Sequence, residues 1–187
     1  MLLSWSLFGV TLCLFDLESG DGQLEQGAVS GVLLLLDSHR ALSWSGDHTL
    51  QLWDLESGEG RPLHGHSRPV YGALLLPDGH RALSWSGDHT LQLWDLESGA
   101  GRSLQGHHNR VRGALLLPDS CRAVSWSVDH TLRLWDLESG EGRVLQRHGR
   151  SVNGALLPDG RRAISSDDLT RHRQLAARPL AVAHRGC

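Results

Sequence analysis

Length, composition and charge narrow the class of protein before any motif is considered. The chain has 187 residues, of which 40% are hydrophobic and 21% charged, and its net charge is −3. This length accommodates about one domain with a sizeable core. All 18 basic residues are arginine, without the basic surplus typical of a nucleic-acid-binding protein, and no apolar run is long enough to span a bilayer. We therefore expect neither nucleic acid nor a membrane as a partner.

The three cysteines indicate the compartment. Cys13, Cys121 and Cys187 are odd in number and widely spaced, which argues against a disulfide framework and against a zinc site. The sequence therefore predicts a reducing, cytoplasmic location, no bound metal and no other cofactor.

One short phrase recurs along the chain. The letters TLQLWDLESG at residues 90–99 return with few changes at 49–58 and 131–140, a spacing of 41 residues, and a weaker copy occupies residues 11–20. A fixed period of this length is typical of units that cannot bury their own apolar faces and must stack on copies of themselves. We therefore expect any function to lie on the surface of the stack.

Residues 1–26 predict an incomplete first unit. Three short strands are indicated at 3–6, 11–16 and 23–25, without an inner strand before them. The apolar start resembles the core of a signal peptide, but it lacks a basic segment, and its LSWS at 3–6 is repeated at 42–45. We therefore predict a strand there.

Residues 27–146 hold three units with one shared pattern. In the middle unit an apolar run at 67–76 ends in a Pro-Asp-Gly turn, and shorter runs follow at 81–86, 90–95 and 102–104. Four short strands separated by turns describe an antiparallel meander. Continuous apolar runs require cover on both faces of such a sheet. The sequence therefore predicts an all-β propeller built from four-stranded antiparallel blades.

The pattern fades after the third unit. Residues 147–168 predict part of a further unit, with an inner strand at 151–157 and the start of another at 161–166. At 171–174 the letters RHRQ stand where apolar strand residues are expected, and charged side chains cannot fill a buried strand face. We expect residues 169–187 to form a degenerate or disordered tail.

The order of the conspicuous residues resembles the WD-repeat family. In the middle unit these are Gly65-His66, the turn at 77–79, Ser84, Asp88 and Trp94-Asp95. The resemblance implies a β-propeller fold and a buried hydrogen-bonded network in each blade. Carried over position by position, the network residues are His66, Ser84, Asp88 and Trp94 in the middle unit, His107, Ser125, Asp129 and Trp135 in the next, and Ser43, Asp47 and Trp53 in the one before.

The first of these three units lacks the network histidine. Alignment with the other units shows that the chain is shorter there, just ahead of Ala28-Val29. Asp47 should therefore have no imidazole partner. Because a buried polar group without a partner costs about 1–3 kcal/mol, we expect this unit to be looser than the other two.

The histidines, serines and aspartates of the repeat allow two alternatives to a structural network, a catalytic triad and a metal site. His66, Ser84 and Asp88 could form a hydrolase triad, but the set recurs one repeat later and lacks the glycines of a nucleophile elbow. The repeated turn histidines cannot share one ion, since neighbouring sheets lie about 10 Å apart. A serine hydrolase is therefore the last-ranked hypothesis, and we predict a protein that is not an enzyme.

Three further tryptophans directly follow the network serines, at Trp44, Trp85 and Trp126. Neighbouring strand residues point to opposite faces, so these side chains should point away from the serines. We expect them to fill the gap between adjacent blades.

The remaining candidate for function is one rim of loops. The connections into each inner strand and the turns after each second strand should share a face, which in the WD-repeat family commonly binds partner proteins. These connections vary between units while the strands do not, as expected of a binding surface on a constant scaffold. Arginine and tyrosine dominate interface hot spots, so the predicted partner-binding residues are Arg68, Tyr71, Arg110, Arg112 and Arg150.

The sequence allows two ways in which the propeller ring could close. Three complete blades, plus one blade split between the two termini, would make a four-bladed ring in one chain or a larger ring in a homodimer. The main hypothesis is a non-enzymatic scaffold that binds a protein or peptide. The alternative is a truncated or decayed fragment of the repeat region of a larger signalling protein, without an independent function.

Overall fold

The computed structural model describes residues 2–4, 11–15, 22–26, 29–149, 152–156 and 163–167, and side chains from 29 to 149. These residues form seventeen strands in five antiparallel sheets, and no helix occurs among them. The prediction of an all-β fold with three complete four-stranded blades is confirmed.

Each complete blade is a meander in which consecutive strands are neighbours. Blade 1 consists of β4 (Val29–Leu34), β5 (Arg40–Ser45), β6 (Leu50–Asp54) and β7 (Gly60–Leu63). Blade 2 consists of β8 (Val70–Leu75), β9 (Arg81–Ser86), β10 (Leu91–Asp95) and β11 (Gly101–Leu104). Blade 3 consists of β12 (Val111–Leu116), β13 (Arg122–Ser127), β14 (Thr131–Asp136) and β15 (Gly142–Arg147).

The core lies between the blades. Leu83 and Leu91 of blade 2 form one buried cluster with Ala123 and Trp135 of blade 3, and an equivalent cluster joins blades 1 and 2. Successive strand residues face opposite sides of a sheet, so each blade covers one neighbour with its leucines and the other with its network tryptophan. This packing explains why the strands are apolar on both faces.

Short polar turns fix the ends of the strands. Asp78 Oδ1 accepts hydrogen bonds from the backbone N–H groups of His80 and Arg81, both at 3.0 Å. Gly79 takes the left-handed conformation, with φ of 74°, which costs glycine little. Asp119 makes equivalent bonds in blade 3, so the same turn chemistry repeats with the sequence.

Two smaller sheets flank the three blades. Before them, β1 (Leu2–Ser4), β2 (Thr11–Phe15) and β3 (Gly22–Gln26) form a three-stranded sheet. After them, β16 (Val152–Leu156) pairs with β17 (Ala163–Asp167) and lies against blade 3.

These strand pairs differ from the predicted shared blade. That blade required β16 to pair with β1, but β16 pairs instead with β17, the next strand along the chain. A short connection closes at lower entropic cost than a long one, which favours the local pair. The predicted tail at 169–187 lies outside the described residues.

Trp44 and Trp85 pack as expected between blades, whereas Trp126 packs against a cluster formed by blade 3 alone. Each of the three lies beside a glycine. Trp85 packs against the cluster between blades 2 and 3. A Cβ atom added to Gly72, its partner in the strand register, would lie 2.2 Å from Cζ2 of Trp85. Gly31 and Gly113 are equally close to Trp44 and Trp126. The indole therefore occupies the space that a side chain on the inner strand would need.

The cysteine prediction needs a correction. Cys121 is disulfide-bonded, whereas number and spacing predicted no disulfide. Sequence spacing failed because it carries no information on which distant segments meet. The cytoplasmic location rested on that argument alone and stays a prediction.

Within the part of the chain that the structure describes, no helix could cross a membrane. The same residues contain no group of three or more metal-ligating side chains that could hold an ion.

Candidate functional site: the buried networks and the loop face

The structure brings the four network residues of blade 2 into one hydrogen-bonded chain. His66 precedes β8, Ser84 lies on β9, Asp88 in the β9–β10 turn and Trp94 on β10. Trp94 Nε1 donates to Ser84 Oγ at 2.8 Å, and Ser84 Oγ lies 2.8 Å from His66 Nε2. His66 Nδ1 lies 2.8 Å from Asp88 Oδ2. Two strands and two loops are thereby linked by hydrogen bonds inside one blade.

The geometry assigns the protons of this chain. Ser84 Oγ accepts from the tryptophan, so its own O–H can be donated to His66 Nε2. His66 then carries its proton on Nδ1 and donates it to the carboxylate of Asp88. A neutral imidazole in this tautomer uses both ring nitrogens. A second proton on Nε2 would leave the serine hydroxyl without an acceptor.

Asp88 also holds the loops on both sides of the network. Its Oδ2 accepts from Ser67 N at 3.0 Å, and its Oδ1 accepts from Thr90 N at 3.0 Å and Thr90 Oγ1 at 2.7 Å. The carboxylate therefore joins the connection before β8 to the turn before β10.

Blade 3 repeats the arrangement with its own residues. His107 Nδ1 lies 2.9 Å from Asp129 Oδ2, His107 Nε2 lies 2.8 Å from Ser125 Oγ, and Trp135 Nε1 donates to Ser125 Oγ at 2.7 Å. The repetition supports the interpretation that each network serves its own blade.

Blade 1 has only the two ends of this network. Trp53 Nε1 donates to Ser43 Oγ at 2.8 Å. Asp47 accepts hydrogen bonds from the backbone and hydroxyl of Thr49. Between these two ends, the described residues place no imidazole.

Burial and hydrogen bonding set the pKa values of the network. Burial favours the neutral form of Asp88, but hydrogen bonds from His66, Thr90 and Ser67 outweigh it and hold the carboxyl pKa well below its ordinary 3.8. Bonds from Thr131, His108 and His107 likewise outweigh burial and keep the pKa of Asp129 well below 3.8. Burial also lowers the pKa of His107 below 6.5, against the opposing effect of Asp129. At neutral pH the network of blade 3 therefore consists of a neutral imidazole and an ionised carboxylate.

The same geometry bears on the hydrolase hypothesis. The network serines Ser84 and Ser125 are 0% exposed, and each already accepts a hydrogen bond from a tryptophan. A nucleophilic serine has to reach a substrate carbonyl and an oxyanion hole. These two hydroxyls face the blade interior instead.

The structure places four of the five predicted partner-binding residues, Arg68, Tyr71, Arg110 and Arg112, on one face. Ser86 Oγ donates to the carbonyls of Arg68 and Pro69, and Gly87 N donates to Pro69 O. Val128 N donates to Arg110 O in blade 3. The inner-strand connections at 64–69 and 105–110 therefore lie beside the turns at 87–90 and 128–130. These segments, with the turn at 46–49 and the first residues of the inner strands, are called the loop face below.

The side chains on the loop face are accessible. Arg68, Arg110 and Arg112 are exposed, and Tyr71 is 44% exposed. The side chains of Arg68 and Arg110 have no hydrogen bond or ion pair with other described residues. Tyr71 and Arg112 each lie at a register shift of the inner strand, and such a bulge redirects a side chain. Arg150 lies outside the described residues.

Sequence reasoning missed the arginines that join one blade to the next. Arg61 on β7 donates from Nη1 to Glu97 O at 3.0 Å and from Nη2 to Leu96 O, both in blade 2. Arg102 makes the same contacts with Leu137 and Glu138 of blade 3. The arginine that recurs three residues after the turn glycines Gly58 and Gly99 was a visible signal, but carbonyl acceptors in another blade leave no trace in the sequence.

A second missed residue is Arg133 of blade 3, which replaces Gln92 of blade 2. Its Nη1 donates to Gly106 O at 2.8 Å, and its guanidinium carbon lies 5.2 Å from the centre of the Trp135 ring. Burial lowers the pKa of Arg133. The side chain supports the loop that carries His107.

Comparison with known families agrees with this architecture. Residues 59–95 and 100–136 match the family model described as WD domain, G-beta repeat. The chain thus carries repeats of the WD-repeat family, as the resemblance indicated. Each match begins with the fourth strand of one blade and ends with the third strand of the next, so one repeat bridges two blades. A search of curated proteins found no match. WD repeats generally form scaffolds for protein interactions.

Proposed function

We propose that this protein is a non-enzymatic scaffold that binds a protein or peptide partner on the loop face. The observation that carries the proposal is that Arg68 and Arg110 are exposed and make no side-chain hydrogen bond or ion pair with other described residues. The buried networks hold the loops that carry them through backbone hydrogen bonds. Interface hot spots are enriched in arginine and tyrosine, and Tyr71 lies on the same face. Arg150 belongs to the proposed set by its sequence position alone.

The networks support this proposal through preorganisation. Asp88 and Asp129 each accept backbone bonds from the connections at Ser67 and His108. A surface that is already ordered loses less entropy when a partner binds. We therefore assign the network residues a structural role and the loop arginines the binding role.

The proposal is tested by replacing Arg110 and Arg112 together with alanine. We expect this variant to lose the partners that the wild-type chain captures from a cell lysate, because both cations leave the loop face. Since Arg112 lies in β12, an unfolding curve that coincides with that of the wild-type chain establishes that the blade is still folded. The matched control is the double replacement of Arg81 and Arg122, which lie on the opposite face and pair with turn carboxylates. Surface pairs of this kind contribute about 0–1 kcal/mol. Loss of capture in the control alone would move the site to the opposite face.

We also propose a homodimer in which the second copy completes the first sheet. Leu34 is 55% exposed, whereas the equivalent leucines Leu75 and Leu116 are half-buried. Those leucines face the preceding blade, and among the described strands the sheet of β1–β3 offers no inner strand there. In this assembly β16 would exchange its partner β17 for β1 of the second copy.

Light scattering separates the dimer from the competing hypothesis of a fragment without independent function. A dimeric mass is expected, since an open stack leaves apolar surface and strand edges exposed. A monomeric mass with a cooperative unfolding transition would contradict the dimer.

A further inference from the structure

The charged side chains of the described residues are divided unequally between the two rims of the blades. Almost every carboxylate lies on the rim opposite the loop face, in the turns at 37–39, 54–59, 78–80, 95–100, 119–121 and 136–141. The loop face has three, Asp47, Asp88 and Asp129. This division follows from the repeat, because each unit places its acidic residues in the same two turns.

Two of those three carboxylates, Asp88 and Asp129, are buried and hydrogen-bonded inside the protein. The side chains of Asp88 and Asp129 are 8% and 7% exposed. Each already accepts hydrogen bonds from a histidine, a threonine and the backbone of the neighbouring connection. They offer little charge to a ligand above the surface. The exposed arginines therefore dominate the potential of the loop face.

An exposed aromatic side chain, Tyr71, lies on the same face as the arginines. Tyr71 follows Arg68 by three residues and packs beside Gly87, where an added Cβ would lie 3.1 Å from the tyrosine Oη. Arg112 occupies the same bulge position in blade 3 as Tyr71 does in blade 2. The face thus combines exposed cations with an exposed ring, and the adjoining connections at 64–69 and 105–110 contain no acidic residue.

From this arrangement we infer that the loop face recognises an acidic segment of its partner, with aspartate or glutamate side chains bound by Arg68 and Arg110. Guanidinium groups bind carboxylates through paired, charge-assisted hydrogen bonds, and like charge on the opposite rim disfavours binding of the same segment there. The inference rests on the proposed function and adds the chemistry of the partner.

Selection from a display library of random peptides against the full chain tests the inference. We expect the enriched peptides to be rich in aspartate and glutamate. The affinity of a synthetic enriched peptide should fall at least about tenfold when Arg68 and Arg110 are both replaced by alanine, and it should weaken with added salt. The Arg81→Ala/Arg122→Ala variant serves as control, and coincident unfolding curves establish that the variants are folded.

The alternatives give different results. Enrichment of neutral or basic peptides that still require Arg68 and Arg110 would overturn the acidic partner and leave the proposed function standing. Stronger binding of a phosphorylated peptide than of its glutamate counterpart would replace the carboxylate by a phosphate and overturn the inference. Absence of any peptide that depends on the loop face would overturn both.

Discussion

Replacing Gly72 with alanine is expected to destabilise the protein by about 2–3 kcal/mol, the upper part of the range for overpacking a core. The added Cβ would lie 2.2 Å from Cζ2 of Trp85, and Trp85 cannot retreat without disturbing the cluster between blades 2 and 3. Urea unfolding, followed by tryptophan fluorescence, measures the change. Gly149→Ala is the control, because no atom lies within 4 Å of a Cβ at that position.

A double-variant cycle identifies the cause of this loss. If the clash with the indole is responsible, Gly72→Ala combined with Trp85→Leu should cost less than the sum of the two single changes, by at least about 1 kcal/mol. Additive losses would show that Gly72 is required for another reason.

The second large effect is expected at the carboxylate of Asp88. Asp88→Ala should cost about 1–3 kcal/mol, because it removes the carboxylate 2.8 Å from Nδ1 of His66 and leaves this buried nitrogen only the longer contact of 3.4 Å with Thr90 Oγ1. Asp47→Ala should cost less, since the described partners of Asp47 are confined to its own turn. Matched urea unfolding curves provide the comparison. Equal losses for the two variants would contradict the importance of the missing histidine in blade 1.

The pH dependence of stability provides an independent check. The pKa of Asp88 is lower in the folded protein than its ordinary 3.8. The unfolded chain therefore binds more protons in the interval between the two values, and stability falls as the pH falls through it. His107, with its pKa lowered from 6.5 by burial, adds a loss in the same direction that begins at higher pH. Removing Asp88 should reduce the slope of the acid part of the curve, where Asp129 still contributes, and leave the part due to His107 unchanged.

The sequence determined the repeating unit, the all-β class and the members of the network. Short apolar runs and the turns between them act locally, so four strands per unit could be predicted from neighbouring residues. The identities of His66, Ser84, Asp88 and Trp94 were given by the resemblance, and the fold brings all four within hydrogen-bond distance. Their positions followed from the fixed spacing of the repeat.

The tertiary structure decided the contacts and strand pairs between segments that are distant in the sequence. Arg61 reaches the carbonyls of the following blade, Trp85 requires the space above Gly72, and β16 pairs with β17 instead of β1. The unequal division of the carboxylates between the two rims also became visible only when the turns were assembled side by side. Such contacts join residues through stacking and strand register, and sequence patterns encode which face a residue occupies but not which neighbour covers it.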